Sequence, residues 1–366
     1  MSFLLPAVRP QAYPTHALSR GSHRDWENQF GLVEEKWIKL PEGLFSSIMA
    51  REPIVNPMYK VSKHLSDEWL KNALRMDNNT ATIWSRLDIA FMSAICAPTA
   101  DLETLKLMND WNGWIFAFDD RFDNGPFANN LDKAREEIKK ARSVLDDVHP
   151  TVSPDDDPLR HTLQSCWIRF KGRSSVTMQC RWKNYLELYF HGLLRQLELQ
   201  SRASIPSIKE YMDIRAGSVG ACPVMGFMEL AEGLDLPDEV MANPAMKAIS
   251  RITCDIVTLQ NDLCSYTKDM MLGEENNIIF ILKEQGMTDQ QAVDQVGTIL
   301  YDCYHRWHAA LGDLPFRGEC IDRDVFKFID GCRNIALGNL HWSFKTFRYF
   351  GIDGPEVKRV RMFKLP

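Results

Sequence analysis

No stretch of this 366-residue chain is apolar over the length needed to span a bilayer. The opening MSFLLPAVRPQAYP comes nearest, but Pro6 interrupts its apolar run at once, leaving it too short for a signal-peptide core. Lys/Arg-rich runs are also missing and the formal net charge is −6, a balance that argues against general nucleic-acid affinity. The nine cysteines are odd in number and contain no CxxC pair, so neither a disulfide framework nor a zinc site is indicated. Most of them sit in apolar helical stretches, where a free thiol behaves as a small hydrophobe, and that fits a reducing compartment. No sustained period-2 alternation, internal repeat or low-complexity tract is present. These absences leave a soluble, cytoplasmic, all-α protein as the expectation, with no stable membrane insertion and no nucleic-acid partner.

What is present is a hydrophobic fraction of 45%, enough for a substantial core, in a length that admits one large helical domain or two small ones. Residues 1–40 are rich in Pro, Ser, Arg and His without periodicity and read as a mobile N-terminal arm, with residues 41–366 as the folded domain. Beyond the arm, apolar residues at i, i+3, i+4 and i+7 predict helices near 81–97, 101–123, 131–147, 157–172, 175–203, 207–217, 223–232, 245–271, 288–312 and 323–350. Breaks are expected at Ala97-Pro98, Asn124-Gly125, Gly233, Gly286 and Leu314-Pro315. SPDDDP at 153–158 is the best linker candidate, but the helical signals on its two sides look alike, so it reads as a loop within one domain.

Two patterns carry chemistry. DDRFD at 119–123 closes an apolar, aromatic helix; Asp119 and Asp123 share one face, with Asp120 one step around. Either this is a solvated acidic helix end with Arg121 as counterion, or a hard cation such as Mg²⁺ resolves the repulsion. In NDLCSYTKD at 261–269, Asn261, Ser265 and Asp269 recur at i, i+4 and i+8 and stack along one helical face. Three oxygen-bearing side chains one turn apart can wrap a single hard cation, with phosphate and water completing the shell. The alternative is an amphipathic helix whose polar face happens to carry them.

Cationic residues accompany both. Arg215 lies in YMDIRAGSVGACP, where Gly217, Gly220 and Pro223 interrupt the helix; Lys268 lies beside the second ladder; Arg348 and Tyr349 close the last strong helix, HWSFKTFRYF. Singly, each reads as a surface residue snorkelling from a helix. Together with two oxygen ladders they suggest a clamp on a polyphosphate. Aromatic helices rich in Trp and Phe, around 111–118 and 342–350, read first as core and second as pocket lining.

With these segments in hand the chain resembles the fungal class I sesquiterpene synthases, and among them the presilphiperfolanol synthase branch. DDRFD is similar to that family's aspartate-rich motif and NDLCSYTKD to its second metal motif; Arg215, 46 positions before Asn261, is similar to the diphosphate-sensing arginine. Arg348-Tyr349 resembles the C-terminal Arg-Tyr pair, and Lys268 the diphosphate-contacting lysine. The resemblance runs from about residue 41 nearly to the C-terminus. One departure is Asp269, where many relatives carry Glu; Glu274 or Glu275 could contribute instead.

The resemblance implies a single-domain helical bundle around a central active-site cavity. It implies that Asp119 and Asp123, with Asn261, Ser265 and Asp269, hold three Mg²⁺ against a prenyl diphosphate, farnesyl diphosphate first. It implies that Arg215, Lys268, Arg348 and Tyr349 bind the diphosphate, and that Ser218 and Val219 couple its sensing to ionisation. Trp342 would line the pocket, with Phe91 and Trp114 as further aromatic candidates, and no redox cofactor is called for. The product would be a polycyclic sesquiterpene hydrocarbon or alcohol. The competing readings are a prenyl diphosphate synthase, which would normally carry a second aspartate-rich motif, and a non-catalytic helical interaction protein.

Overall fold

The structure, a computed structural model, describes residues 36–366 apart from positions 124, 129 and 203. The expected mobile arm therefore lies outside the described residues up to position 35. Its last five residues do not belong to an arm. Trp37–Lys39 (β1) pair antiparallel with Met362–Lys364 (β2), and Ile38 and Leu40 are fully buried. A three-residue strand with alternating burial is too short to give a period-2 signal, so residues 36–40 join the folded part rather than the arm.

The first helices are α1 (Tyr59–Ala73), α2 (Asn78–Leu87), α3 (Ile89–Cys96), α4 (Leu102–Asp123) and α5 (Leu131–Ser143). They are followed by α6 (Pro158–Lys171), α7 (Val176–Gln200), α8 (Ile208–Ser218), α9 (Ala221–Ala231) and α10 (Asp238–Met241). The last are α11 (Pro244–Leu272), α12 (Ile278–Glu284), α13 (Asp289–Gly312), α14 (Glu319–Ser343) and α15 (Gly354–Val360). Side-chain caps set most starts. Asp77, Asn130, Asp157, Ser175, Ser207, Asn243 and Asn277 each accept from an N–H of the first turn, and Thr288 forms a full capping box with Gln291. None of the helices is long and apolar enough to cross a membrane, among the described residues.

Three departures from the sequence reading have physical causes. Helix α1 carries no apolar stripe because its buried face is Ser62, Ser66, Leu70 and Ala73; it docks on α4 through Ser66 Oγ donating to Asp110 at 2.6 Å. The expected helix 81–97 breaks at Asp88, which adopts a left-handed backbone (φ 51°) and ends α2. The expected helix 323–350 stops at Ser343, after which the chain turns, with Phe344 stacked on Phe350 at 5.4 Å and Gly354 packed against the Phe344 carbonyl.

Helix α14 packs on α3 and α11, α11 on α13 and α8, α7 on α8 and α9, and α4 on α1, α6 and α3. The bundle encloses a cavity of about 370 Å³ walled by α3, α4, α7, α8, α9, α11 and α14.

Candidate active site

The acidic end of α4 stands at the cavity wall. Asp119 Oδ1 accepts from Tyr189 on α7 at 3.0 Å, and Asp123 Oδ1 from Gln196 Nε2, two turns further along α7, at 3.3 Å. Burial pushes the Asp119 carboxyl up to about 6 against the pull of Arg215. Asp123 is raised well above the usual carboxylate range, by burial first and then by the charges of Asp119 and Glu274. Asp120 turns aside and accepts from Arg348 Nη2 at 2.8 Å.

Opposite lies the interruption between α8 and α9. Arg215 is buried, its Nη1 donating to Gln196 Oε1 at 3.2 Å and Ser218 Oγ at 3.3 Å, and its Nη2 to Asn261 Oδ1 at 3.3 Å. Ser218 Oγ in turn donates to Gln196 Oε1 at 2.7 Å. Gly220 supplies the left-handed turn (φ 75°) that α9 starts from, a conformation a side chain would strain. Pro223 has no N–H to offer the Val219 carbonyl four residues earlier. Gly192 on α7 lets the α8 end approach so closely that a Cβ there would sit 2.4 Å from the Ser218 nitrogen.

Helix α11 presents the oxygen ladder. Ser265 Oγ donates to Asp269 Oδ2 at 2.5 Å, and Asn277 Nδ2 reaches the same Asp269 oxygen at 3.0 Å. Asn261 Nδ2 donates to the Tyr349 hydroxyl at 2.9 Å. Asp262, one step around, ties the scaffold together: it accepts from Tyr211 of α8 at 2.7 Å and from the Ile278 N–H of α12 at 3.0 Å. Lys268 Nζ lies 3.3 Å from Asp269 and 3.1 Å from Glu274. Burial pushes Asp269 up to about 6.

Arg348 and Tyr349 come from the turn after α14 rather than from the helix itself. That turn is anchored below by Lys345, which donates to Asp88 at the α2–α3 corner. Trp342 in the last turn of α14 donates its indole N–H to the Leu87 carbonyl at 2.7 Å. Its ring meets Phe116 and Tyr349 edge-on, at 5.2 and 5.7 Å.

Asp119, Asp123, Arg215, Ser218, Val219, Asn261, Ser265, Lys268, Asp269, Trp342, Arg348 and Tyr349 all line the one cavity, as do Glu274 and Glu275. The two further aromatics are corrected. Trp114 is buried in a core cluster, 4.8 Å from both Trp111 and Phe118, and Phe91 packs against Tyr59 under Lys345; Phe116 takes the wall instead. The sequence reading missed Tyr189 and Gln196, which hold the acidic motif, because nothing local distinguishes them on a long amphipathic helix.

The donor set fits a hard divalent cation. Its members are carboxylates, an amide and a hydroxyl, with no imidazole or thiolate. Asp269 Oδ1 is buried and makes no hydrogen bond, with the Lys268 ammonium 3.3 Å away, and burial raises the Asp119 and Asp269 carboxyls in spite of the neighbouring cations. Among the described residues no three His, Cys, Asp or Glu side chains are placed to hold a metal alone. A dication here would draw on Asn261, Ser265, water or a bound anion to complete its oxygen shell.

Comparison with known proteins gives matching descriptions. Residues 110–306 match the family model "Terpene synthase family 2, C-terminal metal binding", which implies divalent metal binding. Terpene cyclase 4 of Gibberella fujikuroi is 70% identical over 333 residues, covering 91% of each chain. The (+)-eremophilene synthase of the same fungus is 35% identical over 331 residues, 90% of this chain and 92% of that one. Among solved structures, germacradien-4-ol synthase from Streptomyces citricolor superposes with a TM-score of 0.68 over 80% of this chain and 96% of that one; at 19% identity the likeness concerns the fold.

Proposed function

Because this chain belongs to the terpene synthase family, we propose that it ionises farnesyl diphosphate with Mg²⁺ and closes the carbocation into a polycyclic sesquiterpene, releasing diphosphate. The observation that carries the reading is convergence. Four segments distant in sequence deliver acidic, amide, hydroxyl and cationic groups to one cavity whose remaining wall is mostly aromatic and aliphatic. That polarity split suits a diphosphate head and a hydrocarbon tail.

Asp119, Asp123, Asn261, Ser265 and Asp269 would hold the metal, three ions in the reading taken from the motifs. When bound, Mg²⁺ supplies positive charge where negative charge develops on the leaving diphosphate. Arg215, Lys268, Arg348 and Tyr349 donate to its oxygens. Arg215 is preorganised for this by Gln196, Ser218 and Asn261, so little ordering remains at the moment of reaction. A diphosphate that engages Arg215 also loads the Ser218–Val219 segment, and the Val219 carbonyl, lacking a helical partner from Pro223, is a negative dipole end for the nascent cation. Trp342, Phe116 and Tyr349 exclude water and offer faces that attract a cation without reacting. We read residues 41–366, with the strand at 36–40 packed against them, as one catalytic domain.

The test is incubation of purified protein with farnesyl diphosphate and Mg²⁺, with gas chromatography–mass spectrometry of a hexane overlay. A cyclic C15 product absent with EDTA and in Asn261→Ala supports the reading. A linear prenyl diphosphate formed on adding isopentenyl diphosphate, or no product from geranyl, farnesyl or geranylgeranyl diphosphate, rejects it.

A further inference from the structure

The hydrocarbon part of the cavity is not uniformly apolar. Asn112 on α4 and Asn339 on α14 line it together with Ile115, Phe116, Val224 and Val257. Asn112 lies two helical turns before Asp119, about 10 Å along the axis from the acidic end. Both side chains are more than nine-tenths buried.

In each, the protein engages the nitrogen end of the carboxamide. Asn339 Nδ2 donates to Gln260 Oε1 at 3.1 Å and to the Val257 carbonyl at 3.5 Å. A backbone carbonyl can only accept, so the nitrogen must face it, and the Asn339 oxygen is turned the other way. Asn112 Nδ2 donates to Ser93 Oγ at 2.8 Å, and Asn112 Oδ1 has no donor. None of the described residues donates to Asn339 Oδ1. Packing accounts for the nitrogens, which tie α14 to α11 and α4 to α3. It does not account for the Asn112 oxygen, buried without a donor, or for the Asn339 oxygen, which no described residue meets.

We propose that Asn112 and Asn339 are specificity-determining residues, whose carbonyl oxygens set where positive charge rests in the reacting hydrocarbon and so which ring system is completed. The assignment rests on the cyclase reading. A fixed dipole with its negative end toward a low-dielectric cavity stabilises a cation more strongly than the same group in water, and without reorganising. The aromatic faces of Phe116 and Trp342 attract a cation diffusely; an amide oxygen acts at a point. A carboxylate there would attract more strongly but would also capture the cation, whereas an amide oxygen is neutral and weakly nucleophilic.

The experiment compares the wild type with Asn112→Leu and Asn339→Leu, which keep a branched shape and remove the dipole. Diphosphate release and product distribution from farnesyl diphosphate are measured on the same samples. Release should stay within about threefold of the wild type, while the main product falls at least tenfold relative to acyclic and early-quenched products. Ser93→Ala, which frees the Asn112 amide without touching the cavity wall, should shift the distribution part of the way. An unchanged distribution in both leucine variants overturns the assignment. So does a loss in which release and every product fall in parallel, since that is the signature of damaged folding. A wild type that yields no cyclic product from any prenyl diphosphate is a different failure, which removes the cyclase reading itself.

Discussion

Gly192 should be a sensitive position outside the cavity, because it sets how closely α7 approaches the Arg215 end of α8. A methyl group at residue 192 would lie 2.4 Å from the Ser218 nitrogen and 2.7 Å from the Gly217 carbonyl carbon, where ordinary contacts begin at 3.4 Å. Both neighbours are backbone, so no rotamer relieves the clash, and α7 and α8 must separate by about 1 Å. That displacement separates Gln196 from Arg215 and Ser218, the hydrogen-bonded trio that aims the guanidinium. Overpacking of this kind costs about 1–3 kcal/mol. With unfolding entropy near 2.1 cal/mol/K per residue, that corresponds to a fall of roughly 1–4 °C in Tm for a chain of this length. A misplacement of about 1 Å can cost on the order of 10²-fold in rate. Gly192→Ala should therefore lose diphosphate release about a hundredfold while still melting cooperatively. Gly226→Ala is the control: its methyl group would meet the Trp182 ring at 2.7 Å, away from the cavity, so it should lower Tm with little effect on kcat. Should Gly192→Ala turn over like the wild type, or lose no more activity than Gly226→Ala, the trio is not what positions Arg215.

Three further outcomes follow from the same geometry. Arg215→Lys cannot reproduce contacts from two guanidinium nitrogens to Gln196, Ser218 and Asn261, so kcat/KM should fall at least tenfold, with the steady-state assay as the check. Trp342→Phe leaves the Leu87 carbonyl without its indole donor, and should cost about 1–3 kcal/mol in denaturant unfolding while raising early-quenched products. Burial pulls the Asp289 carboxyl upward, but hydrogen bonds from Lys283, Lys36 and Tyr266 outweigh it and hold the group well below the usual carboxylate range. A depressed carboxylate contributes stability above its unfolded pKa of about 4 and loses it as pH falls. Asp289→Asn should thus be less stable than the wild type near pH 7, with the gap narrowing below about pH 4 in thermal melts; a gap that does not change with pH refutes the linkage.

The site was legible where helical period alone places groups together. Asn261, Ser265 and Asp269 need only 3.6 residues per turn to stack, and the structure keeps them on one continuous helix. The Gly220–Pro223 interruption was legible too, because neither residue suits a helix interior. What stayed hidden depends on contacts between helices. Helix α1 buries serines rather than an apolar stripe, and α12 is a seven-residue segment indistinguishable from a strand by pattern. The end of α14 was misplaced because aromatic periodicity continues through Phe344, Phe347 and Phe350 after the hydrogen-bonding pattern has stopped. Tyr189 and Gln196 matter through partners 70 and 73 residues away, which no local pattern encodes.

The pairing of charges at the mouth has a thermodynamic consequence. Arg348 holds Asp120, Lys268 holds Asp269 and Glu274, and Arg215 is shared among Gln196, Ser218 and Asn261, within 3.8 Å of Asp262. A diphosphate arriving alone would have to draw these cations from their carboxylates and leave buried negative charge behind. A dication arriving alone would have to displace the cations from the carboxylates and leave buried positive charge. Arriving together, each relieves the charge the other uncovers. Binding of Mg²⁺ and of inorganic diphosphate should therefore be mutually reinforcing, with a coupling of about 1–3 kcal/mol that is equal in both directions. Thermal shifts with Mg²⁺ alone, diphosphate alone and both should be strongly more than additive in the wild type, and closer to additive in Asp120→Asn, where Arg348 loses its charged partner. Additive shifts in the wild type would mean that these ion pairs do not oppose either ligand, and that the mouth is already open to each on its own.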